Sequence, residues 1–484
     1  MPSYSVTSSY SSAGTGCRKL TLTLTLTLTL AAVAILGAPG VYAKTAAEVA
    51  LEQRVAELER QLAEARAELA EAQAETVVTA ETGEVVEAVE VADEAAAPAT
   101  KIRVGPLTIG GAVRANYVLG DYPGRGNGPS RGGNGGNFEL DTFRINMDLK
   151  YQQLVGKLEY RWYNGYNFLH TGWLGWDFDD GSQLQVGVNR VPFGPGPYGV
   201  SQSWFFDQHY YVGLSDDMDL GVKYLTDFGN WSLDFAYYAR SEWNGNGTSQ
   251  DSARYSYDAV EWAAALAPNG DVEFAALPNG YQERNQINVR AIYSLDDGAV
   301  PTDLGVSLQY GQLHGRRADD GDHWAASVHM TNSWNNWLLA TQLTRYQLDI
   351  DDDNPLGTDE LIPMGAYDFA WPVATDAWIP AVSLSYLYET DQLPWLDSVR
   401  PYVEYSSILK QEGDFNDSDL LILGAAWARG GWYIYTDAAW ATGNYFVGDE
   451  GDNYGNINDG VGDFGVNGND DRNFRFNINF GYYF

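Results

Sequence analysis

Side chains able to do chemistry recur in this sequence at every second position. Arg144, Asn146, Asp148 and Lys150 alternate with Phe143, Ile145, Met147 and Leu149. The same parity sets Arg114, Lys157, Arg161, Lys223, Arg240, Arg290, Arg400 and Arg475 on the polar side of their segments, with Glu159, Asp234, Glu404 and Asp437. Bases outnumber acids there about two to one, and fixed cations along a narrow wet path favour anions by offsetting their dehydration. That is selection, not bond breaking. No GxSxG or HExxH run occurs. The histidines are His170, His209, His314, His323 and His329, and the parity of His323 and His329 suits a polar wall better than a catalytic base. Neither enzymatic activity nor a cofactor or metal is expected.

The element that positions such a row is a strand with one apolar and one polar face. The clearest is the last stretch: Phe474, Phe476, Ile478, Phe480, Tyr482 and Phe484 oppose Asn473, Arg475, Asn477, Asn479 and Gly481. About 9–11 residues, apolar outward and polar inward, is what a tilted membrane-spanning barrel strand needs. The same pattern predicts strands near 108–118, 138–151, 155–163, 168–178, 183–191, 219–226, 231–242, 284–295, 304–314, 322–333, 337–348, 378–389, 398–409, 419–428, 431–442 and 472–484. Their number is even, as a single-chain bacterial barrel requires. Short links such as Gln152-Gln153, Asn335-Asn336 and Gly430 alternate with mostly longer ones, including 119–137, 192–218, 243–283, 349–377 and 443–471. Short turns at one end and long loops at the other are a barrel's habit.

Composition agrees. With 45% hydrophobic residues, mean hydropathy is still −0.31, because the apolar residues are spread by alternation. After the first forty residues no run is long enough for a membrane helix. A formal charge of −36 speaks against a nucleic-acid partner. Many acids fall in predicted loops, among them 349–353 and 449–452. The Gly- and Asp-rich segment 448–471 lacks the ligand spacing of a calcium hand.

Residues 1–43 read as a secretory signal: Arg18 and Lys19, an apolar run, then Val41, Tyr42 and Ala43 as cleavage site. The single cysteine, Cys17, lies inside it, leaving the mature chain without thiols. In 44–76, Leu51, Val55, Leu58, Leu62, Ala65, Leu69 and Ala72 form a heptad seam. About three heptads are marginal alone, so a short coiled coil between subunits held together elsewhere is expected. Residues 77–104 read as a linker and 105–484 as the barrel.

The third long connection, 192–218, stacks Gly and Pro before Trp204, Phe205, Phe206, Tyr210 and Tyr211. So aromatic a loop should pack against something. Folded inside the barrel it would be the constriction; otherwise it covers a neighbouring subunit. Arg190 enters it on lipid-facing parity, which puts it at the rim or, after a bulge, in the pore.

Signal, coiled coil, strand count, the run Arg190, Pro192, Phe193, Gly194 and the terminal Phe together resemble trimeric bacterial outer-membrane porins. The phosphate-selective porin O/P and DcaP-like families are the ones it resembles. The resemblance implies a homotrimeric passive channel with an inward third loop and a periplasmic coiled coil. The chain departs from the phosphate-selective pattern, since 191–218 holds no Lys or Arg. The expected fold is therefore all-β: a 16-stranded antiparallel transmembrane β-barrel in the outer membrane, with a short N-terminal α-helical coiled coil. The expected function is passive diffusion of small hydrophilic solutes with mild anion preference (phosphate, dicarboxylates or similar). Arg114, Arg144, Lys157, Arg161, Lys223, Arg240 and Arg290 would line the pore. Two alternatives stand beside it: a carbohydrate channel using the loop aromatics as a stacking surface, and a structural anchor or spacer to the cell wall.

Overall fold

The structure is a computed structural model. It describes residues 102–122, 131–249, 251–261, 264–266, 272–274, 280–295, 298, 300–353, 357–413, 415–444, 446–448 and 472–484. The predicted signal (1–43), coiled coil (44–76) and most of the linker lie outside them. So does most of the acidic segment 448–471.

Sixteen long strands form one antiparallel sheet. They are β1 (Leu107–Gly120), β2 (Asn137–Tyr151), β3 (Leu154–Trp162), β4 (Asn167–Asp177), β5 (Gln183–Arg190), β6 (Met218–Phe228), β7 (Trp231–Ser241) and β8 (Tyr281–Leu295). The chain continues through β9 (Thr302–Gly315), β10 (Gly321–Trp334), β11 (Trp337–Asp349), β12 (Asp376–Tyr386), β13 (Ser398–Lys410), β14 (Ser418–Arg429), β15 (Trp432–Thr442) and β16 (Asn473–Tyr483). Each pairs with its neighbours in sequence. The sheet closes where β16 meets β1, in a register running from Ala112 opposite Tyr483 to Gly120 opposite Arg475. At the seam Gly111 and Phe484 exchange both backbone hydrogen bonds, at 2.8 and 3.0 Å. Closure leaves no unpaired edge. The end of the predicted linker takes part: Ile102–Val104 folds back on β1 as a short strand.

Burial is inverted relative to a water-soluble sheet. On β16, Asn473, Arg475, Asn477, Asn479 and Gly481 are buried, and the phenylalanines between them face outward. Leu423 is 58% exposed, Val328 55% and Leu308 51%, all mid-strand, while Asn477 and Asn479 are at 0%. Around the tight turns Trp231 packs on Tyr293, Trp334 on Trp337 and Trp432 on Tyr482. Toward the opposite end Phe143 packs on Trp162 and Trp440 on Phe474. Two aromatic girdles flanking an apolar band is the surface a bilayer selects. Among the described residues no helix is long and apolar enough to cross a membrane.

The tight turns carry the backbone their geometry demands. Gln152, Gly229, Asn335 and Gly430 all have φ between 52° and 59°, the left-handed region that hairpin turns use. At the other end the connections are mostly long, and three of them fold back among the strands. Within 350–375, Leu361–Ala366 and Phe369–Ala374 form a hairpin whose first strand is entirely buried. Tyr367 (φ 51°) and Asp368 (φ 70°) are its turn. Asp258–Ala259, from 242–280, pairs with that hairpin. Asp368 also accepts hydrogen bonds from the Thr248 and Ser249 amides at 2.8 and 2.7 Å, tying the two loops together.

Placing a charge on the outward face tests this orientation. Leu423→Arg should lose about 2–4 kcal/mol in guanidinium unfolding from lipid vesicles, because the guanidinium must enter hydrocarbon. Leu423→Ala should lose far less. Equal small losses would mean that this face meets water.

Candidate functional site

The third connection crosses the barrel interior. Leaving β5 at Arg190, it takes left-handed turns at Gly194 (φ 77°) and Gly199 (φ 62°). At Gly199 a Cβ would come within 2.4 Å of Asp207 Oδ2, so only glycine lets that carboxylate cap the turn. Asp207 Oδ2 accepts from the Val200 amide at 2.8 Å, and Oδ1 accepts from the His209 amide at 2.8 Å.

The polar wall on the far side holds the loop in place. The Gly194 amide donates to Ser307 Oγ on β9 at 3.0 Å, and His209 Nε2 lies 2.8 Å from Thr344 Oγ1 on β11. Glu404 on β13 accepts from Ser201 Oγ at 2.7 Å and from the Gln202 amide at 2.5 Å. Asp437 on β15 accepts from the Trp204 amide at 3.3 Å and the Tyr402 hydroxyl at 2.6 Å. Arg400 reaches Gln202 Oε1 at 2.7 Å. A loop with little regular structure must satisfy its amides somewhere, and the inward carboxyl oxygens supply acceptors.

Between this loop and strands β1–β3 lies a cavity of about 140 Å³. Arg114, Arg144 and Arg161 line one side. Trp204, Phe205, Phe206, Tyr210 and Tyr211 line the other. The two inward-folded loops add Tyr255, Tyr257 and Tyr367. Several rings keep exposed surface there: Tyr163, Tyr166, Tyr198, Trp204, Phe206 and Tyr367. Tyr163 and Tyr166 stack at 5.0 Å, and Phe206 and Tyr210 at 4.2 Å. Burial raises the phenols of Tyr210, Tyr255, Tyr257 and Tyr367, so all four are neutral at physiological pH.

The wall cations are mostly neutralised. Arg114 Nε is 2.8 Å from Asp141 Oδ2. Arg144 and Arg161 share Glu159, at 3.4 and 2.5 Å. Arg290 pairs with Asp234 at 2.6 Å, away from the cavity. Lys223 donates to the Arg190 carbonyl at 2.9 Å. Lys157 sits in register opposite Asp148, and Arg240 opposite Arg284. Lys157, Lys223, Arg240 and Arg290 are thus inward but do not line the cavity. Arg190 turns toward the loop, its Nε 2.9 Å from Asp216 and its guanidinium 5.4 Å from the Tyr198 ring centre. Arg475 differs: its guanidinium donates to the Phe446 carbonyl at 2.9 Å and to Asn477 Oδ1 at 2.8 Å. It lies 3.7 Å from the Tyr122 ring centre.

Strict alternation missed Asp141. It shares the parity of Phe143, yet the β1–β2 register slips between Arg114 and Ala115 and turns it inward. There it also accepts from Asn479 at 2.8 Å. The folded loops 242–280 and 350–375 were missed too. The available signal was two short apolar runs flanking Tyr367-Asp368, a hairpin pattern.

No protein-family model matches the chain, and neither does any curated protein. Solved structures do. The chain is similar to OmpT of Vibrio cholerae (TM-score 0.46, 14% identity, 79% of this chain and 100% of that one). It is similar to the outer membrane channel DcaP of Acinetobacter baumannii (0.47, 12%, 78% and 97%). An anion-selective porin from Comamonas acidovorans matches at 0.44 (12%, 78% and 99%). At those identities and scores the likeness says nothing about solute or assembly.

The loop's anchors can be cut singly. Glu404→Gln and Asp437→Asn each replace a carboxyl acceptor by an amide and disturb a hydrogen bond of about 0.5–1.5 kcal/mol. Chymotrypsin should then cleave faster between Trp204 and Tyr211 in the folded barrel, fastest in the double variant. An unchanged cleavage rate in the double variant would mean that these carboxylates do not hold the loop.

Proposed function

We propose that this chain is a passive outer-membrane channel for small hydrophilic solutes, narrowed by residues 192–218. The apolar outer band, the polar interior and the strapped loop support the reading. The secretory signal, the periplasmic coiled coil and trimeric assembly belong to the same proposal and rest on the sequence. The channel needs no reaction and no cofactor.

For the solute class, one observation weighs most: the arginines at the cavity, Arg131 among them, are ion-paired with Asp141, Glu159 and Glu139, Asp216 also lines it, and partly exposed aromatic rings surround them. Paired guanidinium and carboxylate groups present donors and acceptors at nearly balanced charge, and ring faces stack on the apolar faces of sugars. That combination suits a neutral polyhydroxylated solute better than a free anion. The excess of inward cations in the sequence weighs less, because the parity count left out acids that also lie inside the barrel, among them Asp219 and Glu283, buried elsewhere on the wall, and Asp141 at the cavity. The anion-preferring reading keeps one supporting observation: Arg144 and Arg161, both at the cavity, share the single carboxylate of Glu159.

Planar-bilayer recording separates the two readings. In a salt gradient the reversal potential should lie near zero, and maltodextrins should block the current where phosphate and succinate do not. Trp204→Ala or Tyr166→Ala should weaken that block about two- to tenfold, the loss of roughly 0.5–1.5 kcal/mol of stacking. A clearly anion-selective potential without sugar block, abolished by Arg144→Gln, would reverse the assignment.

A further inference from the structure

A second cluster of buried charge lies where the third connection rejoins the barrel, and it has the opposite sign. Asp217 ends that connection, Asp219 starts β6, Glu242 follows β7, Asp258 lies in 242–280 and Glu283 is near the start of β8. All five are buried, at 0 to 7% exposure. Arg254 pairs with one of them, its Nη1 3.1 Å from Asp258 Oδ2.

The hydrogen bonds leave oxygens over. Asp219 Oδ2 accepts from Gln286 at 3.1 Å, Glu283 Oε1 from the Ala259 amide at 3.0 Å, and Glu242 Oε1 from the Ser256 amide at 2.9 Å. Glu242 lies within hydrogen-bond reach of the Asp258 carboxyl, whereas Asp217 Oδ1 and Asp219 Oδ1 are buried and receive no hydrogen bond. A buried acceptor left so is costly, more so when charged.

We propose that Asp217, Asp219 and Asp258, backed by Glu242 and Glu283, bind one divalent cation, with calcium the best fit. Each of the three aspartates offers an oxygen, and those oxygens all lie within 4.8 Å of one another. Oxygens bound to one calcium at about 2.3–2.6 Å can be no more than about 5 Å apart, so a single ion can reach all three. The donor set is all carboxylate, hard and flexible, which suits calcium over zinc or copper. The ion would join the end of the third connection to β6 and to loop 242–280. Through the pairing of Asp258 with Gly365 it also reaches the buried hairpin. It is therefore a structural clasp on the three inward-folded loops. The inference needs only the fold and is independent of the solute.

The test uses the full chain in detergent, stripped with chelator and titrated with calcium chloride in a calorimeter. One calcium per chain is expected. Calcium should also slow chymotrypsin cleavage within 191–217 and 242–261, with magnesium less effective. In Asp217→Asn with Asp258→Asn, and separately in Asp219→Asn, affinity should fall at least about tenfold as ligand charge is lost. If those variants do not fold, the unmodified chain decides alone: calcium-dependent protection of both segments supports the clasp, and no protection overturns it. Undiminished binding in folded variants would place the ion on external acidic loops and overturn the proposal. So would no binding at millimolar calcium, which would leave shared protons to neutralise the cluster.

Discussion

Backbone satisfaction in an apolar surround is the constraint behind everything else in this molecule. A strand facing hydrocarbon finds no water for its amides and carbonyls, so every one must be met by an adjacent strand. That forces closure, here by a seam joining residues some 360 positions apart in sequence, such as Asn116 and Asn479. Closure turns every second side chain inward. The interior must then accept whatever polar groups the alternation delivers, and it has to satisfy them itself.

Much of the interior follows from that obligation. A guanidinium on the inner wall sits in a confined space where an unpaired charge is expensive. Accordingly Arg114 finds Asp141, Arg161 finds Glu159, and Arg290 finds Asp234. The acids on the opposite wall, Glu404 and Asp437, meet loop amides instead. The loop thus lies across the barrel because the far wall offers acceptors that its irregular backbone lacks. The proposed constriction is a by-product of hydrogen-bond satisfaction.

The barrel itself was legible in the sequence because its signal is a strict period of two repeated over sixteen segments. Even the β16 face, Phe474 to Phe484, reads directly as outside and inside. What could not be read is where that period breaks. Asp141 sits past a register slip, and one extra residue reverses the side a chain presents, so alternation assigns it to lipid. The connections 243–283 and 349–377 are expected outside because short and long links alternate around a barrel. Their burial depends on contacts such as Asp258 with Gly365, between segments over a hundred residues apart. The third loop was legible for a different reason: Trp204, Phe205, Phe206, Tyr210 and Tyr211 are too apolar a group to leave in water.

The same logic explains why counting charges by face misleads about the character of the passage. A count treats each inward arginine or carboxylate as presented to a solute. The folded loop decides otherwise, by covering one wall and leaving the other open. Glu404 and Asp437 are both buried beneath the strap, whereas Arg114, Arg144 and Arg161 border the cavity together with Asp141. What borders the cavity is a set of paired charges framed by tyrosines. The cavity wall is therefore a surface of directed hydrogen-bond donors and acceptors, set by how the loop folds and not by the sum over the strands.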